Sequence, residues 1–111
     1  MITYMAVVNV NGQSLKELII NEDKPVLLQV WAPWCAPCQM FKPIIDSIEQ
    51  DYQAKFAVAR LNIDEFPEDA RELGIMDIPT VIVFVDGRRS KVIVGAHNKE
   101  NMLQYLSKYT A

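Results

Sequence analysis

Two thiols are the residues of this chain best suited to covalent chemistry. Cys35 and Cys38 are its only cysteines, and they stand in Trp31-Ala32-Pro33-Trp34-Cys35-Ala36-Pro37-Cys38, a stretch that also holds both tryptophans. At this spacing the pair can exchange with a disulfide, close one of its own, or bind zinc. The segments on either side narrow the choice. Val26-Leu27-Leu28-Gln29-Val30 is nearly continuous in apolar character and reads as a buried central strand. Beyond the cysteines, Phe41, Ile44, Ile45, Ile48 and Tyr52 recur at helical spacing. The pair therefore sits where a strand ends and a helix begins. Unpaired N–H groups and the dipole of a helix N-terminus favour negative charge, which at Cys35 means the nucleophilic thiolate.

A purely structural cross-link is a poor use of such a pair, because a disulfide that closes so short a loop stabilises little. Structural zinc needs about four ligands, against two cysteines and the only histidine, His97. Carboxylates could complete that shell, but no second Cys or His pair stands at ligand spacing. Haem attachment calls for histidine after Cys38, where Gln39 is found. Redox exchange is the leading chemistry, since a C-x-x-C beside a βαβ pattern is its usual setting.

The remainder of the chain supplies that setting. Its 111 residues are half apolar and 23% charged, which fits one globular domain with a core of its own. A net charge of −3 gives no case for nucleic acid or an anionic membrane surface. Met1-Ile2-Thr3-Tyr4-Met5 lacks a basic leader, and no apolar run approaches a membrane span, so a cytoplasmic location is expected. Two cysteines in a reducing compartment suit a cycling pair better than a permanent bridge. In order, Ala6–Val10 reads as a strand and Ser14 as the cap of a first helix, with Glu17 at capping-box spacing. The helix after the cysteines is expected to reach Tyr52, with a kink at Pro43. Phe56–Leu61 reads as a strand, Pro67 to Gly74 as a short helix, and Val81–Val85 with Lys91–Val94 as a hairpin turned by Asp86-Gly87. A last helix capped by Asn98 carries Met102, Leu103 and Leu106. The expected fold class is α/β, a mixed central sheet in the order β-α-β-α-β-α-β-β-α, flanked by helices on both faces.

Over nearly its whole length the chain resembles the thioredoxin family. The resemblance rests on Trp31-Ala32, Trp34-Cys35, Pro37-Cys38, Pro43, Leu61-Asn62-Ile63-Asp64, Gly74-Ile75, Ile78-Pro79-Thr80, Asp86-Gly87 and Gly95-Ala96, all in the family's order and spacing. It implies the thioredoxin fold and a redox-active Cys35–Cys38 disulfide, with no other cofactor and no metal. It further implies that Cys35 attacks a protein disulfide and Cys38 resolves the mixed disulfide. Pro79 is expected to be cis and to face the sulfurs, and the backbone of Ile78 to pair with substrate. Trp34, Ile78, Pro79, Val94, Gly95 and Ala96 are expected to form an apolar docking ground. Trp31, Gln29, Pro37, Arg60 and Asp64 are expected to support it, with Asp64 accepting from the Trp31 indole. His97 has no counterpart motif and reads as a surface residue.

Two departures stand out. Ala36 occupies a position where the family usually has glycine, and Gln29 one where it usually has a buried aspartate; Arg60 stands where lysine is common. The implied partners are disulfide-bearing proteins and a thioredoxin-reductase-like electron donor. No dinucleotide fingerprint occurs, so electrons must arrive by protein contact. A monomer is expected, with neither nucleic acid nor membrane as partner. Two other readings are a non-catalytic module docking partners around Trp34 and Pro79, and a metal-binding module.

Overall fold

The structure, a computed structural model, describes residues 6–111, so Met1-Ile2-Thr3-Tyr4-Met5 lies outside the described residues. Its elements are β1 (Val8–Asn9), α1 (Gly12–Asn21), β2 (Val26–Trp31), α2 (Ala36–Tyr52) and β3 (Ala57–Asn62). These are followed by α3 (Pro67–Glu72), β4 (Thr80–Val85), β5 (Arg88–Val94), α4 (Lys99–Tyr105) and α5 (Ser107–Thr110). The five strands form one mixed sheet ordered β1-β3-β2-β4-β5. β3 pairs in parallel with β1 and β2, while β4 runs antiparallel to both β2 and β5.

The alternation of side chains along the strands divides the core into two layers. Leu27, Val58, Val81, Val83 and Ile93 face α2 and α4, where they meet Phe41, Ile45, Ile48, Met102 and Leu106. Val26, Leu28, Val30, Leu61, Ile82 and Phe84 face the other way, against Leu15 of α1 and Ala70 of α3. β2 and β4 are covered on both sides, which is why their sequences are almost wholly apolar.

Several boundaries differ from the sequence reading. The first strand is only Val8–Asn9. Asn11, not Ser14, caps α1: the Asn11 side chain accepts from Ser14 N at 2.8 Å, and Ser14 Oγ accepts from Asn11 N at 2.9 Å. Ser14 thus fills the position that Glu occupies in the usual capping box, one turn inside the helix. The last helix is interrupted at Leu106 and resumes as α5. α2 runs from Ala36 to Tyr52 with Pro43 inside it. The hairpin from β4 to β5 turns on Asp86 and Gly87, both at positive φ (51° and 81°), the geometry a tight two-residue turn demands.

Candidate active site

The carboxyl end of β2 and the amino end of α2 meet at the cysteines. Cys35 is the N-cap of α2, in extended backbone conformation (φ −89°, ψ 107°), and Pro37 stands in the first turn, where its missing N–H costs nothing. The two sulfurs form a disulfide, with the Cα atoms 5.2 Å apart. The backbone N–H of Cys38 points at Cys35 Sγ at 3.2 Å. A helix N-terminal donor aimed at this sulfur favours its anionic form once the disulfide is opened. Cys35 is 6% exposed and Cys38 is wholly enclosed, so of the two residues only Cys35 reaches the surface.

Around the sulfurs the fold gathers residues distant in sequence. Ala32 packs with both cysteines, and Trp31, Ile63 and Ile78 close over them. The Ile78–Pro79 peptide is cis. Gly95 N donates to Pro79 O at 2.8 Å, which holds Val94 at the end of β5 and the following Gly95-Ala96 segment beside Pro79. Trp34 is 68% exposed and Val94 55%, so both present apolar surface to solvent. His97 is half-buried; its Nε2 lies 3.0 Å from Val94 O and its ring meets the Tyr105 ring edge-on.

The expected Trp31–Asp64 bond is not what forms. Asp64 Oδ1 accepts from the indole of Trp34 at 3.0 Å, whereas Trp31 Nε1 is buried without a partner among the described residues. The reason is strand parity. Trp31 is the last residue of β2 and its ring turns toward α2, where Lys42 Nζ lies 4.3 Å from the ring centroid. Asp64, in the turn after β3, is exposed and reaches the exposed tryptophan instead.

Gln29 and Arg60 are register partners on β2 and β3, both buried on the α2 side of the sheet. Arg60 Nε donates to Gln29 Oε1 at 2.7 Å, and its Nη2 donates to Lys42 O at 2.9 Å and to Asp46 Oδ1 at 2.7 Å. The guanidinium therefore ties the sheet to the helix that carries Cys38. Gln29 Nε2 has no partner among the described residues. The sequence reading missed Lys42 and Asp46. Their i, i+4 spacing puts Cys38, Lys42 and Asp46 on a single ridge of α2, but nothing local says which strand residue that ridge meets.

A family model for thioredoxin matches residues 6–108. The chain belongs to the thioredoxin family. Thioredoxin of Porphyra purpurea is 41% identical over 105 residues, covering 95% of this chain and 98% of the relative. Thioredoxin of a Synechocystis species is 43% identical over 100 residues, covering 90% and 94% respectively. Among solved structures, a mutant thioredoxin from Halobacterium salinarum superposes with a TM-score of 0.87 at 28% identity, covering 100% of this chain and 96% of that one. As a thioredoxin-family protein with the cysteine pair closed into a disulfide, it is a thiol–disulfide oxidoreductase. No helix among the described residues is long and apolar enough to cross a membrane. Among the described residues, no group of three or more His, Cys, Asp or Glu side chains gathers as a metal site would need.

Proposed function

We propose that this protein reduces disulfides of protein substrates, with Cys35 as the attacking thiolate and Cys38 as the resolving thiol. The observation that carries the assignment is the Cys38 N–H directed at Cys35 Sγ, together with the enclosure of Cys38. In the reduced protein, the Cys35 thiolate attacks one sulfur of a substrate disulfide. A Cys35–substrate S–S bond forms, and the other substrate sulfur leaves as a thiolate. Cys38 then loses its proton and attacks Cys35 Sγ. The Cys35–Cys38 bond closes and the second substrate thiolate departs, so two electrons have passed to the substrate. A separate thioredoxin-reductase-like protein returns them.

Trp34, Ile78, Pro79, Val94, Gly95 and Ala96 form the docking ground in this reading. The exposed Trp34 and Val94 and the Gly95–Pro79 backbone bond support it. Trp31, Gln29, Pro37, Arg60 and Asp64 act from behind: Pro37 starts the helix, Asp64 steadies Trp34, and Arg60 with Gln29 fixes α2 to the sheet. Because the Gln29 amide does not titrate, the Cys38 proton leaves to water entering the cleft rather than to a carboxylate at that position. We read the chain as a single-domain monomer working in the reducing cytoplasm.

The test is to incubate reduced Cys38→Ser and Cys35→Ser variants with a disulfide-bearing protein such as insulin. Cys38→Ser should accumulate a mixed disulfide at Cys35, resolved by mass spectrometry, and Cys35→Ser should give no turnover. Trapping on Cys38 in the Cys35→Ser variant at an equal rate would reverse the assignment.

A further inference from the structure

Away from the cysteines, where α1, the start of β3 and the last turns of α2 meet, the structure opens a cavity of about 520 Å³. Glu49, one of its lining residues, is eleven residues beyond Cys38 on α2, roughly 16 Å along the helix axis. The volume lies within the range of about 300–1,000 Å³ common for small-molecule sites. Much of its wall is apolar, from Val8, Leu18, Phe56 and Val58. Its charge is not balanced. Among the described residues, Glu17, Glu22 and Glu49 line it against a single cation, Lys24, whose Nζ is already given to Gln53 O at 3.0 Å. None of the three carboxylates is in an ion pair among the described residues.

Glu49 is the anomaly. It is only 4% exposed, and its Oε1 has no hydrogen-bond donor among the described residues. A buried carboxylate oxygen without a donor costs free energy that a donor entering from outside would recover. A largely apolar, half-open cleft lined by a carboxylate with no hydrogen-bond partner among the described residues, and by net negative charge, selects a cation that carries its own hydrocarbon. We propose that this cavity is a second binding site, independent of the redox centre, for a small organic cation: an ammonium or guanidinium group on an apolar body. The cationic head donates to Glu49, and the body packs on Leu18, Phe56 and Val58. A free amine and the lysine side chain of a partner share this chemistry.

The experiment titrates the full-length oxidised protein with benzylamine, with its neutral counterpart benzyl alcohol, and with N-acetyl-lysine amide, following backbone amide signals by NMR. Benzylamine should shift the signals of Leu18, Ala57 and Val58, and Glu49→Gln, which keeps the shape, should weaken it by at least about tenfold, the worth of one charge-assisted hydrogen bond. Disulfide reduction by Glu49→Gln should match the parent. A response to N-acetyl-lysine amide with none to benzylamine would support the site with a partner's side chain as the source of the cation. Benzyl alcohol binding as well as benzylamine, benzylamine binding equally to Glu49→Gln, or no shift at these amides with either cation would each overturn the proposal.

Discussion

Arg60→Met keeps most of the buried aliphatic stem and deletes the guanidinium, and with it three hydrogen bonds. The bond to Asp46 contributes least, because the Asp46 side chain is 48% exposed and such pairs stabilise by about 0–1 kcal/mol. Lys42 O belongs to the interior of α2 and keeps the helix as its main partner. Gln29 decides the outcome. It is fully enclosed and its Nε2 already has no partner among the described residues, so losing Arg60 leaves both ends of a buried amide unsatisfied, at about 1–3 kcal/mol. Arg60→Met should therefore lose about 1–4 kcal/mol in sum. Adding Gln29→Leu removes the stranded amide, and exchanging both members of a buried polar pair for apolar groups is often close to neutral. The double variant should recover about 1 kcal/mol or more of that loss. Urea denaturation of the oxidised parent, both single variants and the double variant gives the cycle. A loss of 2 kcal/mol moves the midpoint by about 1 M at an m-value of about 2 kcal/mol/M. If Gln29→Leu costs the same with and without Arg60, the two residues are not coupled and the reasoning fails.

Four further outcomes are expected. In the reduced protein at neutral pH, iodoacetamide should label Cys35 before Cys38, read by peptide mass mapping; the reverse order would contradict the roles given to the two thiols. Trp34→Ala should leave stability within about 0.5 kcal/mol, since the residue is exposed, yet lower kcat/KM for protein disulfides by about tenfold, as the loss of an interface aromatic does; unchanged kinetics would remove Trp34 from the docking ground. Gln29→Asp puts a titratable group behind the site, so single-turnover resolution of the mixed disulfide should gain an inflection with pH that the parent lacks; superimposable profiles would exclude a proton path through position 29. Gly87→Val puts a β-branched residue at φ 81° and should cost about 1–2 kcal/mol in the same urea assay, and a variant as stable as the parent would show that the turn can change type.

Much of the scaffold was legible because its signals are local. The apolar run Val26–Val30 suits a strand covered on both faces, the spacing of Phe41, Ile45 and Ile48 fits one helix face, and Asp86-Gly87 is a strong signal for its own turn. The chemistry was legible for the same reason, since two cysteines at a strand–helix junction meet a helix N-terminus whatever the remainder of the chain does. Tertiary structure alone decided which polar groups found partners. Asp64 was assigned to Trp31 and bonds Trp34, because strand parity turns Trp31 toward Lys42 on α2. Gln29 and Arg60 lie 31 positions apart and meet only through the β2–β3 register, and Asp46 joins them only because α2 crosses above. Glu49 reads in the sequence as one more acidic residue on a helix; its burial beside a cavity depends on where α1 and the first residues of β3 come to rest. Hydrophobic periodicity is a property of neighbours along the chain, whereas a polar pairing depends on the final register and direction of elements far apart in it, and no local pattern encodes that.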